Sequence, residues 1–291
     1  MTEQDFLLLK TLDQTQNVTQ TAKILHLTQP AITRQIQMLE KELETTLLIR
    51  SRHGIRFTPE GDIALKASLA ADKIMVQLRQ DLNSAKGYLC GTLHAGISMN
   101  YARHYLPAIL QNFRQNYPKI TAQINVRHSW VLYNGLLNGD YDLAILPGEY
   151  PWNEYKKVLL KEQVFAVMSS CYENYSLEEI PFIRRQTDSF FERNANRWLE
   201  ENKISPNENF ITINNTEACL EMVRHNLGWA IVPQCCLENF TGITKPLFFA
   251  NTKPFLRTTY LFYPQKSAEL PQVQAFINEL DSHELSKNSL T

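Results

Sequence analysis

Residues 18–61, VTQTAKILHLTQPAITRQIQMLEKELETTLLIRSRHGIRFTPEG, admit few folds. Val18, Ala22 and Leu25 recur at the i, i+4, i+7 spacing of a short amphipathic helix ending near His26, and Leu27 and Thr28 break it. Thr28 is a good N-cap for a second helix, and Pro30 falls in its first turn, where a missing N–H costs nothing. That helix is expected to run to about Glu44. Its apolar stripe is Ile32, Ile36, Leu39 and Leu43, which leaves Gln29, Pro30, Thr33, Arg34 and Gln37 together on the opposite face. Two short helices with a tight turn, the second carrying Gln, Thr and Arg near its N-terminus, match a helix-turn-helix whose second helix enters the major groove. Gln pairs bidentately with adenine and Arg with guanine. Thr28, Gln29, Pro30, Thr33, Arg34 and Gln37 are therefore the expected base-facing set. After Glu44 the run TTLLIRSRHGIRFT alternates like two strands around Gly54, with Arg50, Arg52 and Arg56 and no acid. A wing touching phosphates has that composition. The plainer reading is a helical hairpin in a core with Arg34, Gln35 and Gln37 as a solvated face; the basic wing counts against it.

The same run resembles the winged helix-turn-helix signature of LysR-type transcriptional regulators. The matching pieces are Ala22 and Leu25 as Ala-x-x-Leu, the TQPAITRQI block, Leu39-Glu40, the L-x-R ending at Arg50, and Thr58-Pro59-Glu60-Gly61. Each is weak alone, and in this order over some forty residues they are specific. Three positions depart from the family: Thr21 where it commonly has Ala, Thr45 where it has Gly, and Leu48 where it has Phe. If Thr45 had to end the recognition helix in a left-handed conformation, its β-branch would cost roughly 1–2 kcal/mol. The helix is expected to end differently here.

A chain of 291 residues suffices for about two domains. The net charge of −1 excludes a global polycation, so any nucleic-acid surface must be a local patch, and the wing is one. No apolar run reaches membrane-spanning length, and the start MTEQDFLLLK lacks the basic end and long apolar core of a signal peptide. These features predict a cytoplasmic protein without membrane contact. Cys90, Cys171, Cys219, Cys235 and Cys236 show no C-x-x-C and no histidine at zinc-ligand spacing. Buried free thiols, no metal and no cofactor are the expectation, with a redox role for Cys235-Cys236 the minor alternative.

Thr2 and Asp5 start a first helix to about Leu12, with Phe6 and Leu9 on one face. After the wing, Thr58 caps a helix with Pro59 at its first position, and no further breaker appears between Gly61 and Gly87. Ile63, Ala67, Ala70, Ile74, Leu78 and Leu82 form one stripe, widened by Leu65, Leu69 and Val76. So wide an apolar arc on a linker calls for a partner helix. The resemblance implies dimerisation there, through Ile63, Leu69, Ile74 and Leu78; the alternative is packing against the chain's own C-terminal domain.

From Cys90 strands and helices alternate: GTLHAGIS, a helix Tyr101 to Asn116, ITAQINV, a helix Trp130 to Asn138, and DLAIL. A second series runs through VFAVMSS, IPFIRR, a helix Ser189 to Glu201, FITIN, a helix Thr216 to Asn226, and GWAIVP. TTYLFYP and a helix Leu270 to Leu280 close the chain. Such βαβ runs imply a parallel sheet covered by helices. The layout, and NNTEACLEMVRHNLGWAIVP in particular, resembles the effector-binding domain of LysR-type regulators, itself similar to periplasmic solute-binding proteins. The expected fold is thus multidomain. An all-α winged helix-turn-helix head (1–58) and a linker helix (59–86) precede a two-subdomain α/β effector-binding domain (90–291), divided as 90–161 plus 266–291 and 162–265.

Ligands in such folds sit where strand C-termini meet helix N-termini. Four corners qualify: Ser98 and Asn100; His128, Ser129 and Trp130; Arg184, Arg185, Gln186 and Thr187; Asn214, Asn215 and Thr216. Ser98, Asn100, Ser129, Trp130, Gln186, Thr187, Asn215 and Thr216 are the expected effector-binding set, with Tyr150 and Trp152 as walls. Hydroxyls, amides and free backbone N–H groups suit a small carboxylate, although helix capping explains each corner taken alone. No G-x-G-x-x-G, G-x-S-x-G, Walker loop or paired-histidine motif occurs, so no catalytic residue is expected. A metabolite-switched, DNA-binding regulator is favoured over a metabolite-binding α/β protein or enzyme with an N-terminal oligomerisation module. Its expected partners are double-stranded DNA with a pseudo-palindromic operator, a small-molecule effector and further copies of itself as a homodimer or homotetramer. The resemblance also admits RNA polymerase.

Overall fold

The computed structural model describes residues 1–51, 54–85, 89–205 and 207–288. They form two compact units, Met1–Tyr88 and Leu89–Thr291. The first contains α1 (Glu3–Thr15), α2 (Val18–Ile24), α3 (Gln29–Glu42), β1 (Leu48–Ser51), β2 (Gly54–Phe57) and α4 (Pro59–Ala85). Thr2 and Asp5 close a reciprocal capping box that starts α1. Asn17 accepts hydrogen bonds from Thr19 N and Gln20 N to start α2, and Thr28 accepts one from Ala31 N to start α3. Leu8, Leu12, Ala22, Ile32, Ile36 and Ile55 close one core; Leu9, Leu39, Leu47, Ala64 and Leu65 close a second that includes the start of α4. Fully burying each of these leucines or isoleucines contributes about 1.5–3 kcal/mol, enough to order short helices that would not persist alone.

Two ends differ from expectation. The α2 helix ends because His26 takes φ 55, with Leu27 N bonded to Ala22 O, so the break begins one residue before Leu27. The α3 helix ends at Glu42, and Glu44, not Thr45, is left-handed at φ 52; Thr45 N then donates to Glu40 O. Thr45 thus escapes the β-branch penalty. Thr21 is fully buried, yet its hydroxyl meets Asn17 O at 3.0 Å and Thr15 Oγ1 at 2.7 Å, so the polar departure leaves nothing unsatisfied.

The second unit runs β3 (Gly91–Ser98), α5 (Met99–His104), α6 (Leu106–Asn116), β4 (Ile120–Arg127), α7 (Ser129–Leu137), β5 (Leu143–Pro147), β6 (Tyr155–Met168), β7 (Pro181–Arg185), α8 (Ser189–Glu201), β8 (Asn207–Ile213), α9 (Thr216–Arg224), β9 (Ala230–Pro233), β10 (Ile243–Pro246), β11 (Leu256–Tyr263), α10 (Gln265–Ala268) and α11 (Pro271–Asn288). Seven strands form one sheet in the order β10-β6-β11-β5-β3-β4, with β9 also on β6, while β7 and β8 pair in parallel. Only part of the main sheet is parallel, β3 with β4 and β5. Strands β6 and β11 run antiparallel to each other, and β11 also runs antiparallel to β5, so the sheet is mixed rather than parallel. Because β11 pairs with β5 from Thr259 onward, the chain has rejoined the first half by Thr259, seven residues before the expected 266. The helix expected from Tyr101 to Asn116 is two helices broken at Tyr105, since Pro107 at the start of α6 has no N–H to continue the ladder.

The first half is held by Leu93, Ile97, Ile109, Phe113 and Phe276, the two phenyl rings meeting edge to face at 5.2 Å. Trp229, Phe182 and Phe255 anchor the second half. Gly228 (φ 151) turns the chain into β9 where a Cβ would lie 2.2 Å from Pro181 O, so only glycine fits.

Candidate nucleic-acid interface and ligand cleft

On the head, burial of Ile32, Ile36 and Leu39 turns the other side of α3 outward. Thr28, Gln29, Pro30, Arg34 and Gln37 are exposed and Thr33 is half-buried, so the expected base-facing residues share one solvent face. Gln35 leaves that face, donating to Asp5 Oδ1 at 3.1 Å and tying α3 to α1. Burial would raise the Asp5 carboxyl, but the hydrogen bonds from Gln35 and Thr2 outweigh it and hold it below the usual range.

The wing is a two-stranded ribbon in which Ile49 faces Arg56, and Arg56 is exposed. Arg50 lies on β1; its side chain, and all of Arg52, lie outside the described residues. Three links set the ribbon against the helices. Glu40 Oε1 accepts from Leu47 N at 2.8 Å and Leu48 N at 3.3 Å. Ile55 N donates to Gln16 O at 3.0 Å, and a Cβ on Gly54 would lie 2.4 Å from that oxygen. Thr58 donates through its hydroxyl to Thr46 O at 2.7 Å and accepts from Gly61 N at 2.9 Å, while a Cβ on Gly61 would stand 2.1 Å from Leu47 O. The Thr-Pro-Glu-Gly run is thus the joint between wing and α4.

The α4 stripe divides. Ile63 and Ile74 are each 68% exposed, and Leu78 and Leu82 are also open. Leu69, expected at the dimer face, is partly buried and packs against the head's own Leu9, Leu39 and Leu47 cluster.

In the second unit, Ser98 at the end of β3 and Arg127 at the end of β4 are register partners, as are Arg185 and Ile213 at the ends of β7 and β8. These strand ends and the start of β11 surround a cavity of about 40 Å³. Its lining includes Ser98, Asn100, Ser129, Thr187 and Thr216 from the expected set, with Arg185, His128 and Asn214 from the same corners. Gln186, Asn215 and Trp130 are not in it. Gln186 is used by its backbone, which donates to Ile213 O, and Asn215 caps α9 through Ala218 N. Trp130 is 62% exposed. Tyr150 and Trp152 pack into the core around Leu132 and Phe262 rather than walling the cavity. Burial pushes the Tyr150 phenol up to about 12, so it stays protonated beside Ser129. Sequence reasoning missed Arg127, Asp188 and Arg257. The β11 boundary, placed too late, had hidden Arg257.

The lining carries Arg127, Arg185 and Arg257 against one carboxylate, Asp188. Arg257 lies 3.6 Å from Glu162 and 3.8 Å from Asp188, and the buried Asp188 Oδ2 and Arg257 Nε have no hydrogen-bond partner among the described residues. Such atoms cost free energy unless a further group meets them. Asp188 Oδ1 caps α8 through Phe191 N at 2.8 Å, whereas Ser98 heads α5 without any side-chain cap. Helix capping therefore accounts for Asp188 and Asn215 but leaves the Ser98 hydroxyl to the cavity. Across the cleft, Thr216 Oγ1 meets Asn100 Oδ1 at 3.5 Å and Arg103 pairs with Glu217 at 3.1 Å. Five cysteines are free; Cys171 is exposed and Cys90 and Cys235 are half-buried, so only Cys219 and Cys236 meet the expectation of buried thiols. Among the described residues no helix is long and apolar enough to cross a membrane.

The model of the bacterial regulatory helix-turn-helix proteins of the lysR family matches residues 4–62, and that of the LysR substrate binding domain matches residues 86–284. The chain belongs to the LysR family. Two Bacillus subtilis HTH-type transcriptional regulators described as uncharacterized are similar along almost their whole length. YraN is 29% identical over 98% of this chain and 99% of its own, and YkuM is 28% identical over 94% of each. Among solved structures, full-length CbnR in complex with its target DNA superposes with a TM-score of 0.71 at 17% identity, covering 97% of this chain and all of that one. A full-length OxyR variant from Pseudomonas aeruginosa gives 0.65 at 20% identity, covering 98% and 95%. At that identity the likeness is one of fold. For this LysR-family regulator the named fold agrees with the head, the long helix and the two-half α/β domain described above.

Proposed function

We propose that the exposed face of α3 reads operator bases, that the wing arginines hold phosphates, and that a small anion in the cleft of the C-terminal unit alters DNA binding. The reading of the cleft rests on one observation: five strand ends converge on a cavity whose lining has three guanidinium groups, one carboxylate and the uncapped Ser98 hydroxyl. Hydroxyls at strand ends with arginines behind them suit a carboxylate or phosphate better than a neutral ligand. An effector shifts the balance between two arrangements only by its difference in affinity for them. Tenfold modulation of operator affinity needs about 1.4 kcal/mol, within reach of one or two hydrogen bonds made in one arrangement only.

One head makes few contacts, whereas two heads read a pseudo-palindrome. The exposed Ile63, Ile74, Leu78 and Leu82 stripe supports pairing of α4 with that of a second copy. Such a DNA-bound regulator works in the cytoplasm, and its relatives are regulators rather than enzymes. To test the cleft, a panel of small carboxylates and phosphates is screened by thermal shift and the hits are measured by calorimetry. Ser98→Ala combined with Thr216→Val should weaken the hit about tenfold or more while ligand-free operator binding stays within twofold. No stabilising anion, or unchanged affinity in the double variant, would place the ligand elsewhere.

A further inference from the structure

Beside the arginine-lined cavity of the cleft, the fold joins three residues that the sequence scatters. His104 ends α5 in the first half. Cys235 and Cys236 lie in the short 3-10 turn Gln234–Leu237 that follows β9 in the second half. One donor atom from each of the three falls within 4.8 Å of the other two. We propose that His104, Cys235 and Cys236 form a binding site for one thiophilic d10 cation, Zn²⁺ or Cu⁺, which fastens the two halves together.

The two sulfurs are 3.7 Å apart. In a disulfide they would stand at about 2.05 Å. Two thiolates on one tetrahedral zinc, each at about 2.3 Å, stand about 3.8 Å apart. The separation of the two thiols, which are in hydrogen-bond contact, thus already matches that required by a shared ion. Two thiolates and an imidazole select soft ions over Mg²⁺ and Ca²⁺, and three protein donors leave a fourth position for solvent. The surroundings hold the donors in place. Glu162 Oε2 accepts from Cys235 N at 3.0 Å, Asn100 Nδ2 approaches Cys236 Sγ at 3.6 Å, and Glu238 Oε2 lies 3.8 Å from His104 Nδ1. A carboxylate behind a ligating histidine and an N–H donor to a ligating sulfur are common supports of metal ligands. On binding, each thiol that ligates gives up its proton to solvent and its sulfur lone pair to the ion; no electron is transferred. Asn100 also lines the anion cavity, so an ion here would fix one wall of it.

The test uses the full-length protein, reduced with a phosphine and stripped by a chelator that is then removed. Zn²⁺ is titrated against a chromophoric competitor, Cu⁺ against a Cu⁺-specific one, and Co²⁺ is added as a spectroscopic probe. The expected result is one equivalent of Zn²⁺ or Cu⁺ per chain, with thiolate-to-cobalt charge-transfer bands and the intense visible bands of four-coordinate cobalt. His104→Gln, Cys235→Ser and Cys236→Ser should each weaken binding at least tenfold and remove the rise in Tm that the ion produces. Cys90→Ser and Cys171→Ser should leave both unchanged. Cys236 is buried, so if its variant misfolds the half-buried Cys235 and the His104 variant decide. Absence of the charge-transfer bands overturns the site. Full-strength binding in His104→Gln, with losses in the cysteine variants only, also overturns it, because the ion would then sit on one half.

Discussion

Gly61→Ala sets two effects against each other. Inside a helix, glycine to alanine is ordinarily stabilising by about 0.5–1 kcal/mol. Here the new Cβ would stand 2.1 Å from Leu47 O and 3.0 Å from the Phe57 ring. The oxygen belongs to the backbone and already accepts from Thr58 N at 2.9 Å, so relief requires the wing's first strand to move off α4. Overpacking of this kind costs about 1–3 kcal/mol, and a lost or stretched hydrogen bond adds about 0.5–1.5. After subtracting the helix gain, a net loss of about 0.5–4 kcal/mol remains. For a unit of this size each kcal/mol lowers Tm by about 4–8 °C. Calorimetry of Gly61→Ala beside the exposed neighbour Glu60→Ala reads the difference, and gel shifts should show weaker operator binding as the wing moves. A Gly61→Ala protein as stable as the parent would refute the claim that this contact is rigid.

Arg34→Ala should cost about 1–3 kcal/mol on the operator and leave random DNA unaffected, whereas Arg56→Ala should weaken all DNA alike and lower the salt slope by about one; gel-shift titrations over a salt series separate them, and equal behaviour would undo the division of labour. Ile74→Asp places a charge on a residue that is 68% exposed in one chain, so it should fold normally and dissociate the assembly in sedimentation equilibrium; an intact dimer of parental affinity argues against α4 pairing. Asp5 is held below the usual carboxylate range, so its contribution is present above the unfolded value and disappears as pH falls through the folded one. Urea unfolding of the head over an acid series should show that loss, and Asp5→Asn should flatten it; identical pH profiles would mean that Asp5 is not the responsible group.

The head was legible because its signals are local: Thr28 caps, Pro30 fits the first turn, and the apolar spacing of α3 turns Arg34 and Gln37 outward. The β-branch of Thr45 correctly argued against a left-handed end there, and the left-handed position is taken by Glu44 instead. Helix α4 shows where a stripe is ambiguous. Periodicity marked Leu69 and Ile74 as equals, but Leu69 is partly buried against the head cluster and Ile74 stands open. In the C-terminal unit each strand-to-helix corner could be found, yet which side chains turn into the cavity depends on partners distant in sequence. Ser98 and Asn215 look alike as caps, and only the structure shows that Asn215 is used in that way. His104 and Cys235-Cys236 lie outside any ligand-spacing rule because the fold, not the chain, brings them together.

Strand β6 belongs to both halves. Its Tyr155–Gln163 portion pairs with β11, its Val164–Met168 portion with β9 and β10, and at the changeover Glu162 and Arg257 are register partners. A continuous hydrogen-bonded ribbon cannot swivel freely about a pin. It can bend and twist only along its length, and its one register irregularity, at Thr259/Tyr260, marks a local kink in the pairing with β11. If the proposed ligand drew the two halves together, this strand would have to bend, and its elasticity would oppose the movement. The free energy of any such bending would then be drawn from the ligand's contacts with the lining, which links the affinity of the cleft to a strand that the ligand does not touch.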